Sequence, residues 1–280
     1  MKKILSICLA IFMLVPCAIT VSAHEITIQD KIEYLVDQGL PEAFVTNRTD
    51  EEINEMYSTM YGQNIVYMGT ETVTMTEGTS EGEATTYGAI PEEDMTFSIT
   101  KIANVSYDTT LKLDKVNEVY IYIDYEWTPG HPYFTWNDGI TVNWDSGVFT
   151  FKANSFVARD YKNTLSSGWI TTKTLTSPTE LDQGGLGYYA SLMYGESVMG
   201  VTVGALQHKG SAYFTLLPKD SPMYMKANAS VTAINAKYLH NKNPGLLSVS
   251  FTHTSGFGIS ASVPGLKDSV AKATNFYYTH

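Results

Sequence analysis

The chain has 280 residues, with 18 Lys and Arg against 29 Asp and Glu, a net charge of −11 and 44% hydrophobic residues. Such acidity disfavours nucleic acid and anionic lipid as partners, and the length and apolar content suit a chain that buries a sizeable core. Its 2 cysteines, Cys8 and Cys17, both fall near the N-terminus, so disulfides are not expected to hold the fold.

Met1-Lys2-Lys3 leads into an apolar run from Ile4 to Val21, which ends in Val21-Ser22-Ala23 ahead of His24. A charged start, an apolar middle and a small-residue end are the features of a secretory signal peptide over 1–23, cleaved after about Ala23. Cleavage there removes both cysteines. Pro16 directly before Cys17 argues against a lipoprotein site. No later apolar run is long enough to span a bilayer. The expectation is a secreted, extracellular protein with a helical lobe over 24–62 and a β-domain over 63–280.

Two amphipathic helices are predicted in the lobe. Thr27 with Asp30 caps the first, Ile28, Ile32, Leu35 and Val36 form its apolar stripe, and Gly39 and Pro41 end it. Thr49 and Glu52 have the spacing of a capping box for the second, whose face is Ile53, Met56, Tyr57 and Met60. Neither stripe is wide enough to fold alone, so the pair is expected to pack on the β-domain.

Beyond Gln63 the period changes to two. Strands are predicted at 63–75, 95–105 and 110–113, with an acidic, Gly/Thr/Ser-rich loop from Glu77 to Asp94. The strongest pattern follows: Val119, Ile121, Ile123, Tyr125 and Trp127 alternate with Glu118, Tyr120, Tyr122, Asp124 and Glu126, as in a strand with one face on a core. A hairpin is read over 136–151, with Asp138-Gly139 and Ser146-Gly147 as reversals. Further strands are predicted at 154–158, 169–175, 185–194, 198–206, 211–217, 227–239 and 246–263. The last alternates Leu247, Val249, Phe251, His253 and later Ile259, Ala261, Val263 against Ser and Thr. One greasy and one hydroxylated face fit antiparallel sheets, and the whole reads as a mainly β fold, an antiparallel β-sandwich with a small N-terminal two-helix lobe.

The runs Leu35, Gly39-Leu40-Pro41, Phe44, Thr49-Asp50-Glu51-Glu52-Ile53 and Tyr57 resemble the N-terminal helical segment of several uncharacterised exported proteins of Gram-positive bacteria. Tyr125-Glu126-Trp127, Trp136-Asn137-Asp138-Gly139-Ile140 and Lys209-Gly210-Ser211-Ala212-Tyr213 are similar to the β-rich remainder of that group. The resemblance implies export and a shared fold, and it brings no activity, cofactor or functional residue.

Gly78-Thr79-Ser80-Glu81-Gly82 matches the nucleophile-elbow pattern, but it lies in a polar loop and not between a buried strand and a helix, so a chance match is the better reading. The six histidines, His24, His131, His208, His240, His253 and His280, show no metal-ligand pair spacing, and His253 is expected to be a core histidine. Asp124, Glu126, Asp138, Asp145 and Asp160 surround the central stretch. Of these, Asp124, Asp138 and Asp145 are the candidates for a hard cation, and surface solvation is the plainer explanation. The aromatics give the best lead. Tyr120, Tyr122, Trp127, Tyr133, Trp136 and Trp144 are candidates for an exposed surface that stacks on sugar rings, with burial in a sandwich core as the rival. No catalytic residue and no cofactor is assigned. The functional expectation is a non-catalytic extracellular or envelope-associated binding or structural module whose partner is a glycan or envelope component. Its alternatives are a carbohydrate-binding module or secreted hydrolase, and a membrane-active β protein.

Overall fold

The computed structural model describes residues 26–75, 94–130, 132, 137–165, 167–192, 195–198, 201–219, 222–242, 249–253, 258–264 and 267–280. The segment read as a signal peptide, the acidic loop with Gly78–Gly82, His24, His131, Tyr133 and Trp136 lie outside the described residues.

The helical lobe has three helices, α1 (Ile28–Asp37), α2 (Glu42–Thr46) and α3 (Asp50–Met60). The predicted Thr27 cap and the predicted Thr49–Glu52 capping box both form, and the first is itself a capping box. Thr27 accepts from the Asp30 amide while its own N–H donates to the Asp30 carboxylate at 2.7 Å, and Thr49 and Glu52 repeat the arrangement. Gly39 closes α1 at φ +92°, where a residue with a Cβ would be strained. The middle helix follows Pro41 and has only 5 residues, too few to show an apolar period, which is why the sequence reads as two helices.

The remainder is mainly β: a large antiparallel sheet curled into a half-barrel. Its strands are β1 (Ile65–Met75), β2 (Met95–Asp108), β3 (Leu113–Trp127), β4 (Asn137–Asn143), β5 (Phe149–Phe151), β6 (Val157–Thr164), β7 (Gly168–Leu175), β8 (Glu180–Asp182), β9 (Gly185–Ser191), β12 (Gln207–Pro218), β13 (Met223–Asn241) and β16 (Lys267–Thr279). Two hairpins stand apart as small sheets, β10 (Gly195–Val198) with β11 (Val201–Gly204), and β14 (Ser250–His253) with β15 (Ile259–Ser262).

Curling brings two arms of one sheet face to face, so the sandwich layers are continuous. Met95, Phe97, Ile99, Val119, Ile121, Ile123 and Phe214 from β2, β3 and β12 share a buried core with Ile140, Val142, Leu186, Ile234, Tyr238 and Phe276 from the other arm. The alternation of β3 is realised as read, since its odd residues from Val119 to Trp127 all face this core. Each such side chain contributes ~1.5–3 kcal/mol on burial.

Several strand predictions need correction: 110–112 is a turn ahead of β3, and the run read as one strand over 246–263 holds β14 and β15, which pair antiparallel with each other. The hairpin over 136–151 does not form: β4 pairs β13 and β9, whereas β5 pairs β12. Asp138-Gly139 lies inside β4 and not at a reversal. Gly139 is there because Val249 packs on it, and a Cβ would meet Val249 Cγ1 at 2.6 Å. In addition, β16 runs along β13 over fourteen register pairs where no strand was predicted. Its buried row, Val270, Thr274, Phe276 and Tyr278, is interrupted by Lys272 and so lacks a plain apolar alternation.

Candidate functional site

The second face of β3 organises the site. Tyr120 and Tyr122 are 2% and 4% exposed, buried with Leu35, Leu40, Val45, Ile53, Met56 and Met60 of the lobe. They were expected to face solvent, and this is corrected: period two places them opposite the core row, and the lobe covers them there. Phe44 meets Tyr122 edge-on at 5.4 Å, and Tyr122 stacks on Tyr213 at 5.7 Å. Trp127 and Trp144 are likewise buried, at 0% and 3%, and belong to the sandwich core. Their indole N–H groups are satisfied within the protein, Trp127 donating to the Tyr238 hydroxyl at 3.2 Å and Trp144 to the Gln183 carbonyl at 3.0 Å. An exposed aromatic surface is therefore not built from these four residues.

The three candidate cation ligands do not converge. Asp124 is bound by both terminal nitrogens of Arg48. Asp138 is fully buried, 2.6 Å from the Tyr238 hydroxyl and 2.9 Å from His240 Nδ1, with the Asn241 amide donating to its other oxygen at 2.9 Å. Asp145 closes an exposed turn by accepting from the Gly147 amide at 2.8 Å. Among the described residues no three His, Asp or Glu side chains come together in a way that could hold a metal ion. His253, expected in the core, has a side chain 56% exposed and lies 3.2 Å from Asp182, because the hairpin carrying it ends at the surface.

Strand register instead creates three rows across β1, β2, β3 and β12, about 7 Å apart along the strands. Thr70, Thr100, Tyr122 and Tyr213 form one row, and Thr72, Ser98, Asp124 and Ser211 continue into Arg159 as the second. Thr74, Thr96, Glu126, Lys209 and Tyr161 form the third. The first row packs under the lobe at its tyrosine end. The second docks the lobe by polar contacts at three consecutive cross-strand positions: Asp124 to Arg48, Ser211 to Glu52, and Arg159 to Glu51 and Glu55 at 3.0 and 2.5 Å.

Burial opposes the charge on Arg48, yet its neighbours, the Asp124 carboxylate first and Glu52 after it, together offset this and hold the guanidinium above its usual range. For Asp124 the balance is reversed, and burial lifts its carboxyl despite Arg48. Arg48 also lies against the rings of both Phe44 and Tyr122, 4.5 and 5.3 Å from their centroids.

Beyond the lobe's edge the second and third rows stay open. They floor a groove of about 630 Å³, walled by Pro41, Phe44 and Asn47 on one side and by Tyr161 and Trp169 on the other. Trp169 lies on β7 and is 37% exposed, and Lys209 Nζ sits 4.7 Å from its ring centroid. Hydroxyls line the floor, with Tyr67 donating to Thr70 at 2.8 Å and Thr70 Oγ1 lying 2.7 Å from Thr100 Oγ1. An aromatic wall, a hydroxyl ladder and a few charged groups can stack a flat apolar ring face while exchanging hydrogen bonds around its rim. Trp169, Lys209, Tyr161 and Arg48 were not singled out from the sequence. The available signal was the Thr/Ser alternation in β1 and β2, at Thr70, Thr72, Thr74, Thr96, Ser98 and Thr100.

No protein-family model and no curated protein sequence matches the chain. Among solved structures it is similar to Clostridium perfringens delta-toxin, 7% identical over 75% of this chain and 89% of that one, with a TM-score of 0.31. A pore forming protein is 8% identical over 79% and 97% of the two chains, with a TM-score of 0.33. The C-terminal domain of the Streptococcus pyogenes antigen I/II-family protein AspA is 11% identical over 64% and 54%, with a TM-score of 0.28. At such scores the likeness transfers no function.

Proposed function

We propose that the chain is exported and acts as a non-catalytic binding module that takes a saccharide of a cell envelope or surface in the groove between the helical lobe and the sheet. The carrying observation is the groove itself: an exposed Trp169 stands beside Lys209 at one wall of a floor of hydroxyl and charged side chains. Sugar rings present an apolar face and a hydroxyl rim, and this lining offers a counterpart to each. The charged start and apolar run of residues 1–23 support export.

The test is calorimetric titration of a panel of neutral and acidic oligosaccharides against the protein, with Trp169→Ala as the control. Trp169 is the exposed tryptophan that lines the groove, whereas Trp127 and Trp144 are buried. Binding by a panel member, weakened about ten-fold by Trp169→Ala, is the expected result, equivalent to ~1.4 kcal/mol. Binding that ignores the substitution, or no binding at all, contradicts the reading.

One observation favours a second reading, membrane action. Strands β14 and β15 pair only with each other, with Val249, Ile259 and Ala261 buried against the main sheet and Ser250 and Thr252 exposed. A two-sided hairpin of this kind suits a strand pair that exchanges one apolar surface for another. Among the described residues no helix is long and apolar enough to cross a membrane, which leaves strand-based crossing open. Dye release from liposomes supports this reading, and vesicles that stay intact count against it.

A further inference from the structure

We propose that Lys209 makes the groove selective for saccharides that carry a carboxylate, an inference that rests on the saccharide reading above. Lys209 on β12 stands directly across from Glu126 on β3, yet the two are not paired. Glu126 instead accepts a hydrogen bond from Gln207 Nε2 at 2.9 Å, while the Lys209 ammonium turns to the aromatic wall, 4.7 Å from the centroid of Trp169 and 5.8 Å from that of Tyr161. The groove's other cation, Arg48, is held by Asp124 and Glu52, whereas no carboxylate lies within ion-pair distance of Lys209 among the described residues. Lys209 is therefore the cation in the groove that has an aromatic neighbour in place of an anion.

Position makes this useful. The ammonium lies over the ring that a sugar would stack on, so a saccharide entering along Trp169 meets the positive charge at its own edge, where a uronic or similar acid bears its carboxylate. Moving the ammonium from the ring face to that carboxylate replaces a cation–π contact with a charge-assisted hydrogen bond and frees the ring face for stacking. A neutral sugar must displace the ammonium without offering it an anion. The net charge of −11 repels acidic ligands at long range. That repulsion is screened over ~8 Å at physiological ionic strength, so inside the groove the Lys209 ammonium acts against the nearby Glu126 and Asp124 carboxylates and not against the whole net charge.

The experiment compares an oligogalacturonate with its fully methyl-esterified form, which keeps the backbone and removes the charge. Both are titrated calorimetrically against the full chain, Lys209→Ala, Lys209→Arg and Trp169→Ala. The acid is expected to bind about ten-fold or more tightly than the ester, the scale of one charge-assisted hydrogen bond. Lys209→Ala should abolish that preference by weakening the acid and leaving the ester unchanged or tighter, since it uncovers Trp169, and Lys209→Arg should restore it. Trp169→Ala should weaken both. Equal binding of acid and ester, or a Lys209→Ala loss shared by both, overturns the selectivity while leaving the saccharide reading in place. If neither form binds and no neutral oligosaccharide does, both fall.

Discussion

Replacing Arg48 with Ala should destabilise the protein by about 3–4 kcal/mol, because it strands the lobe's charged contacts with the sheet. The Arg48 side chain is 6% exposed, and it holds the Asp124 carboxylate with both terminal nitrogens. Removing one partner of a buried pair costs ~3–5 kcal/mol. The Asp124 side chain is 28% exposed, so its desolvation is incomplete and the low end of that range applies. Loss of the guanidinium's contacts with the Phe44 and Tyr122 rings adds ~0.5–1 kcal/mol. Urea unfolding followed by circular dichroism measures the total. In a scan the same loss lowers Tm by about 6–16 °C for a domain of this size. Arg48→Ala with Asp124→Ala should cost less than the sum of the two single changes, since no charge is then left without its partner. A single-variant loss below about 0.5 kcal/mol, or strict additivity in the double, would refute the reasoning.

Two further outcomes follow from other buried contacts. Burial lifts the Asp160 carboxyl from its ordinary 3.8 to about 6, although the Ser191 amide and Tyr125 hydroxyl donate to it. An acid whose folded pKa is raised stabilises the fold below its unfolded pKa, and that contribution is lost as pH rises through the folded one. Asp160 therefore disfavours the folded state by up to about 3 kcal/mol at pH 7 relative to pH 4. Asp160→Asn, whose amide can accept from Ser191 and donate to Tyr125, should gain on wild type between pH 4 and pH 7 in paired urea titrations, and parallel curves would exclude this. Gly139→Ala places a Cβ 2.6 Å from Val249 Cγ1 and 3.2 Å from Ala261 Cβ, so it should loosen β14–β15 at a cost of ~1–3 kcal/mol. Hydrogen exchange in that hairpin should then quicken while β3 stays protected, and unchanged hairpin protection would count against the close packing inferred there.

Much of the fold is legible because local chemistry and tertiary structure agree. The Thr27 and Thr49 capping boxes form, and the odd residues of β3 from Val119 to Trp127 fill the core. The same alternation places Tyr120 and Tyr122 on the second face but cannot say what covers it. That depends on Leu35, Val45 and Met56, more than sixty residues away, and on ion pairs such as Arg48 with Asp124. Gly139 reads as a turn because a glycine inside a strand needs a neighbour to explain it, and that neighbour is Val249. The groove was the least visible part. Its floor comes from β1, β2, β3 and β12 in register, while Trp169 arrives from β7, and no single stretch of sequence holds them together. Of the tryptophans that drew attention, Trp127 and Trp144 are packed inside, and Trp136 lies outside the described residues.

The most direct test is a hydrogen-exchange footprint of the full chain with and without a bound oligosaccharide from the panel. Protection at 70–74, 96–100, 124–126 and 168–170, with Trp169→Ala erasing it, is the result expected of a ligand lying in the groove. Protection confined to 249–253 and 259–263, or to any surface that excludes those four segments, would contradict it.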